Sequence, residues 1–175
     1  MNFELNKSIK ILERTPAVFR ALFQDLDCEW ATINEGPKTW SAYDIIGHLI
    51  HGEQTDWIPR AKIILGDNED KTFKPFDRFA QETLSKGKST NELLEEFTQL
   101  RQESLQQLKA WKLTDEDLNK KGVHPELGAV TLAQLLSTWT IHDLAHINQL
   151  SRVMVKHYAN DVGPWKNYIR LLKDL

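Results

Sequence analysis

The helical character of the chain is clearest in residues 89–108, which read STNELLEEFTQLRQESLQQL. Ser89 and Glu92 form a capping box, an arrangement in which two side chains bind the free backbone N–H groups at the start of a helix. Apolar side chains then recur every three or four residues, the spacing that places them on one face of a helix. They are Leu93, Leu94, Phe97, Leu100, Leu105 and Leu108. The stretch therefore predicts a long amphipathic helix.

Similar spacing predicts a first helix over about residues 3–26, and this helix contains an interruption. Proline lacks the N–H group that would bond to the carbonyl of residue 12, so Thr15-Pro16 should break or kink the helix. The remaining predicted helices begin at capping or proline signals and cover about residues 41–65, residues 131–158 and a short C-terminal segment from Pro164.

The connections between the main predicted helices are long. About 23 residues join the second and third helices, and about 20 join the third and fourth. Adjacent antiparallel helices in a bundle usually need only about 2–8 residues. These lengths permit crossover connections that cover one mouth of a helical bundle. With 8 glycines and 6 prolines in 175 residues, we expect an all-α fold and a single domain over residues 1–175.

Charge and cysteine content limit the class of protein. There are 22 Lys and Arg residues against 25 Asp and Glu residues, with no basic block that would bind a nucleic-acid backbone. The single cysteine, Cys28, cannot form an intramolecular disulfide. The charged N-terminal segment is unlike a secretory signal, and no stretch approaches the ~20 apolar residues of a membrane span. We therefore expect a cytoplasmic protein with neither nucleic acid nor membrane as a partner.

Two histidines in the fourth predicted helix have the spacing of metal ligands. His142 and His146 are four residues apart, so their rings lie on the same face, about 6 Å apart along the axis. They border the apolar face of the helix and should point into the bundle. Either they bind a metal ion, or each ring simply bonds to a carbonyl or a carboxylate. Because Asp143 follows His142, the H-E-x-x-H motif of metalloproteases is absent.

A third ligand would have to come from another helix. His48 and His51 on the second predicted helix are both candidates, and periodicity does not choose between them. Glu53 falls within the apolar face of the same helix, where a bare carboxylate is costly unless a cation or a hydrogen-bond donor accompanies it. A salt bridge and a catalytic role beside the metal are both open for Glu53.

Several stretches, taken in order and spacing, resemble the DinB/YfiT-like superfamily of metal-dependent enzymes. The resemblance is carried by Trp40-Ser41, by GHLIHGE at residues 47–53, by HDLAHINQ at residues 142–149, by RVM at residues 152–154 and by VGPW at residues 162–165.

This resemblance implies a four-helix bundle with non-sequential connectivity, often dimeric, that holds one divalent ion at one end. Its three ligands would be His48, His142 and His146. His51 is then an additional histidine that this pattern of ligands does not require. Asp143 and Gln149 could orient an imidazole, although a solvated helix face is an equally simple explanation. Zinc, nickel and iron are the metals considered, since imidazole suits each of them.

The function expected from the resemblance is that of a metal-dependent enzyme acting on a small electrophile, with a low-molecular-weight thiol S-transferase as the specific hypothesis. The alternatives are a metal-dependent hydrolase and a non-catalytic metal-binding bundle of the stress-response kind. A homodimer is a further expectation. Cys28 is expected to be buried or inert, His124 to be an exposed loop residue, and His157 to cap the end of the fourth helix.

Overall fold

The four predicted helices are all present in the computed structural model, which describes residues 3–172, and they form a four-helix bundle. The first two are each divided in two. The α-helices are α1 (Leu5–Leu12), α2 (Thr15–Phe23), α3 (Cys28–Thr32), α4 (Ala42–Thr55), α5 (Trp57–Leu65), α6 (Gln81–Leu84), α7 (Thr90–Ala110), α8 (Asp115–Asn119) and α9 (Leu132–Val155). No helix within residues 3–172 is long and apolar enough to cross a membrane.

The helix starts follow the capping signals of the sequence. Ser89 and Thr131 each accept a hydrogen bond from the backbone N–H three residues later, as the two predicted capping boxes require. The predicted short C-terminal helix consists instead of 3-10 turns at Gly163–Asn167 and Arg170–Leu172. The fourth helix likewise finishes in a 3-10 turn at Lys156–Tyr158. Such short segments gain too few hydrogen bonds to offset the cost of starting an α-helix.

The breaks within the first and second helices have the same cause. The first helix is interrupted between α1 and α2, as Pro16 predicts. The second is interrupted at Asp56, which the sequence did not lead us to expect. Pro59 lies in the first turn of α5 and has no N–H group to donate to the carbonyl of Thr55, so the regular bonding pattern stops there.

The buried apolar side chains form two clusters that are stacked along the bundle. On α7, Leu93 and Phe97 belong to one cluster and Leu105 belongs to the other. The same division recurs on α9, where Trp139 lies in one cluster and Leu150 in the other. Polar side chains occupy the boundary between the clusters on each of these helices.

Arg101 on α7 is the central member of this polar boundary, and its side chain is 1% exposed. Nε and Nη2 donate to Glu53 Oε1 on α4 at 3.0 and 2.8 Å, and Nη1 and Nη2 donate to Asp143 on α9 at 2.5 and 3.0 Å. Nη1 also donates to the carbonyl of Leu12 on α1 at 2.9 Å. One buried guanidinium thus joins four helices.

The two long connections meet at one end of the bundle. Strands β1 (Lys121–His124) and β2 (Gly128–Thr131) form an antiparallel hairpin before α9, which the helical pattern did not predict. The N–H of Phe73, in the connection between α5 and α6, donates to Val123 at 2.9 Å. A side chain at Gly122 would place its Cβ 2.5 Å from the Phe73 ring, so glycine permits this close approach. The connections cover one mouth of the bundle, as their lengths suggested.

Replacing Arg101 by methionine should destabilise the protein severely. The substitution Arg101→Met leaves two buried carboxylates without their cation, and a loss of about 3–5 kcal/mol is expected. Urea denaturation followed by circular dichroism measures the change. Gln102→Met, at an exposed position of the same helix, is the control and should change stability by less than about 0.5 kcal/mol. Similar values for the two variants would contradict the role given to Arg101.

Candidate metal centre

Three histidines from two helices converge at the covered end of the bundle. His48 lies on α4, and His142 and His146 lie one turn apart on α9. Their ring nitrogens all lie within 4.8 Å of one another, as those of a metal site do. Of the two candidates on α4, the structure brings His48 to this cluster. We call these three residues the histidine triad.

The distances within the histidine triad suit a shared cation. His142 Nε2 lies 3.1 Å from His48 Nε2 and 3.1 Å from His146 Nε2. Two nitrogens that each lie about 2.1 Å from one metal ion are separated by about 3.0–3.4 Å, depending on the bond angle. A single proton on His142 Nε2 can be donated to one neighbour and not to both. One of the two contacts therefore lacks a proton, and a cation between the rings would satisfy all three lone pairs.

Burial keeps the rings of the histidine triad neutral, which is the form that binds metal. It is the main cause that lowers the pKa of His48 to about 3, and the neighbouring imidazoles add to the effect. Burial lowers the pKa of His142 to about 2, again with help from the other two rings. The pKa of His146 is also lowered by burial, although its bond to Gln149 opposes the shift.

Gln149 fixes the orientation of one member of the triad. Its Oε1 atom can only accept, so His146 Nδ1–H donates to it at 2.9 Å and His146 Nε2 keeps its lone pair. Within residues 3–172, the buried Nδ1 atoms of His48 and His142 have no such partner. Gln149 therefore has the orienting contact that the sequence suggested for it.

Aromatic rings surround the triad. The Trp40 ring lies 4.6 Å from that of His48, and the Trp57 ring lies 5.1 Å from that of His142. The triad opens into a cavity of about 420 Å³ whose lining also contains Phe73 and Phe76. The site can therefore accept an organic molecule with a sizeable apolar part.

Charged and polar side chains also line the cavity. Arg60 Nε lies 2.6 Å from Asp56 Oδ1, and burial of that carboxyl raises the pKa of Asp56 to about 6 despite the nearby arginine. His124, expected to be an exposed loop residue, is half-buried at the end of β1 and lines the cavity. Its Nδ1 accepts from two backbone N–H groups at 3.2 Å, so Nε2 carries the ring proton.

Glu53 forms a salt bridge, which is one of the two roles that the sequence left open for it. Its carboxylate binds Arg101 and accepts from Trp139 Nε1 at 3.2 Å, and it is absent from the cavity lining. Burial raises the pKa of Glu53, while Arg101 opposes the shift. These contacts support a positioning role for Glu53 and give no support to its candidacy as a catalytic group.

Asp143 was expected either to face solvent or to orient an imidazole, and it does neither. It is fully buried and bonds to Arg101. Arg101 itself was missed by the sequence analysis, although a charged residue among Phe97, Leu105 and Leu108 on the apolar face of α7 is a detectable signal.

Three other residues considered in the sequence analysis, His51, Cys28 and His157, are not members of the triad. His51 is buried against Phe76, with ring centroids 4.8 Å apart, and its side chain does not line the cavity. Cys28 is exposed, so the first of the two expectations for this thiol, burial, is wrong, and the second, an inert thiol, stays a prediction. The residue lies outside the cavity lining. His157 lies in the 3-10 turn after α9 and stacks on Trp30 at 4.3 Å.

The sequence profile of the DinB superfamily matches residues 11–150, which include the whole histidine triad. The chain belongs to the DinB superfamily. No curated protein matches the chain.

Several solved structures resemble this chain in backbone fold. YfiT from Bacillus subtilis, described as a probable metal-dependent hydrolase with an unusual four-helix bundle topology, is 24% identical with a TM-score of 0.70, over 86% of this chain and 87% of YfiT. TT2238, a four-helix bundle protein, is 16% identical with a TM-score of 0.56, over 85% of this chain and 98% of that protein.

A third similar structure is that of a mycothiol-dependent maleylpyruvate isomerase. It is 13% identical with a TM-score of 0.58, over 96% of this chain and 75% of the isomerase. At these identities the three comparisons establish the four-helix bundle fold and leave the reaction to be argued from the site.

The metal-free protein should lose stability as the pH falls from about 6.5 towards 3. In this range the histidines of the unfolded chain take up protons, whereas the native pKa values of His48 and His142 lie at about 3 and about 2. Each such histidine contributes at most about 1.4 kcal/mol per pH unit. Denaturation of chelator-treated protein at several pH values measures the slope.

The variant His142→Asn tests this assignment, because asparagine takes up no proton in either state. Its slope between pH 6.5 and 4 should be shallower than that of the unchanged protein. Gln102→Asn, at an exposed position outside the triad and without a titratable group, is the control and should keep the full slope. Equal slopes for the unchanged protein and His142→Asn would show that this imidazole does not stay neutral in the native state.

Proposed function

We propose that the chain is a divalent-metal-dependent enzyme whose ion is bound by Nε2 of His48, His142 and His146. The observation that carries the proposal is the pair of 3.1 Å contacts that His142 Nε2 makes with the other two nitrogens. All three rings are neutral and lie beside a cavity of about 420 Å³. Three ligands of this kind leave at least one coordination position for a substrate.

A bound divalent ion would lower the pKa of a water or thiol at its open coordination position towards 7. The residues of the chain would perform the other tasks. Gln149 holds His146 in the tautomer that presents Nε2. Trp40 and Trp57 pack against rings of the triad and exclude water from that side.

We further propose that the reaction is transfer of a low-molecular-weight thiol to a small electrophile. The thiol sulfur forms a bond to carbon, the leaving group departs from that carbon, and the thiol proton goes to solvent. The aromatic lining supports this choice because it suits a thiol and an organic electrophile better than it suits water alone. The backbone likeness to a mycothiol-dependent isomerase is a second support.

Hydrolysis is the second candidate function. YfiT, 24% identical to this chain, is described as a probable metal-dependent hydrolase. The cavity lining contains Asp56, whose carboxyl has its pKa raised to about 6 by burial and could accept a proton from water. A screen that offers the same activated esters and halides with and without added thiols separates the two reactions.

Purified protein should bind about one equivalent of Zn²⁺ or Ni²⁺. The variants His48→Ala, His142→Ala and His146→Ala should each weaken binding by at least 100-fold, because one of three ligands is lost. His51→Ala, which changes a buried histidine of the same helix outside the triad, is the control and should keep full metal binding. Titration calorimetry measures the affinity. Unchanged metal uptake in all three triad variants would refute the metal site.

Chelation distinguishes a catalytic ion from a structural one. For an enzyme of the proposed kind, removal of the ion should abolish turnover and lower the melting temperature only by the small amount that mass action requires. A large loss of stability in a protein without turnover would favour a non-catalytic, metal-binding bundle. Elemental analysis of the native protein identifies the ion before the screen.

A further inference from the structure

Two arginines line the cavity beside the histidine triad, and the guanidinium of one of them already has an ion-pair partner. Arg60 pairs with Asp56 at 2.6 Å, and its guanidinium lies 5.2 Å from the centre of the Phe73 ring. Arg60 is 8% exposed, so its contacts are made within the protein. Its charge is balanced locally and is not available to a ligand.

Arg78, in the connection between α5 and α6, is the second arginine, and it is exposed. Among residues 3–172 its side chain has no hydrogen-bond or ion-pair partner. The neighbouring acid, Asp77, instead accepts a hydrogen bond from the N–H of Phe79 at 3.0 Å. The guanidinium of Arg78 therefore borders the cavity with all its donors free.

Arg78 and all three histidines of the triad line the same cavity. Glu126 is the other exposed charged residue of the lining. A molecule in this cavity can therefore contact the guanidinium of Arg78 and the triad at the same time.

We propose that Arg78 binds a carboxylate of the substrate, so that the substrate class is a small organic acid with an apolar or aromatic body. The inference rests on the proposed function, because it assigns the substrate of that site. A guanidinium can form two parallel hydrogen bonds with a carboxylate, which fixes both its position and its orientation. The aromatic walls receive the apolar body, and the reactive carbon is directed towards the histidine triad.

The test compares phenylacetate with phenylacetamide, two probes of nearly equal shape of which only the first is charged. Binding is measured by tryptophan fluorescence, since Trp40 and Trp57 line the cavity, in both metal-free and Zn²⁺-loaded protein. Phenylacetate should bind about tenfold more tightly than phenylacetamide in both forms. Arg78→Gln should remove this preference and leave phenylacetamide binding unchanged, and Arg78→Lys should keep part of it.

Lys86→Gln is the matched control, because it removes one exposed positive charge from the turn after α6, outside the cavity lining, and it should keep the full preference. The inference is overturned if the Arg78→Gln variant still binds phenylacetate more tightly than phenylacetamide. It is also overturned if this preference appears only with Zn²⁺ and does not depend on Arg78. Failure of both probes to bind at millimolar concentration also overturns it. If the protein binds no Zn²⁺ but keeps an Arg78-dependent preference, the proposed function fails while the carboxylate site stands.

Discussion

The arrangement of the bundle depends on one buried guanidinium. An arginine has five N–H donors, and all five of Arg101 are used: two by Glu53, two by Asp143 and one by the carbonyl of Leu12. Burial disfavours the charge, but the two carboxylates outweigh this effect and raise the pKa of Arg101. Glu53 is on the helix that carries His48, and Asp143 follows His142. The ion pairs therefore fix the rotation of both helices that supply the histidine triad.

The break in the first helix is part of the same arrangement. In an uninterrupted helix the carbonyl of Leu12 would accept from the N–H of residue 16, but Pro16 has none. The free carbonyl is instead bonded by Arg101 at 2.9 Å. Pro16, which looks in the sequence like a local irregularity, thus leaves the carbonyl of Leu12 free for Arg101, 89 residues away from Leu12 in the chain.

The features that the sequence predicted correctly depend on residues that are close together in the chain. The capping boxes at Ser89 and Thr131 and the break at Pro16 are determined by neighbours within four residues, and all are confirmed. The hairpin before α9 depends on a distant contact with Phe73, so its short strands could not be recognised from periodicity. The choice between His48 and His51 is equally non-local, since it is decided by the packing of α4 against α9. The resemblance to the superfamily indicated His48, whereas helical spacing alone did not choose between His48 and His51.

The charges around the triad indicate why the polar boundary is retained. Replacing a buried ionic cluster by apolar side chains is often neutral or stabilising, so stability alone does not explain Arg101, Glu53 and Asp143. Glu53 and Asp143 lie on different helices, and one guanidinium can bind both carboxylates only when α4 and α9 have the right rotation and register. The hydrophobic effect is non-directional, so apolar side chains in these places would not specify that rotation. The placement of the two helices that carry the histidine triad therefore accounts for the polar boundary.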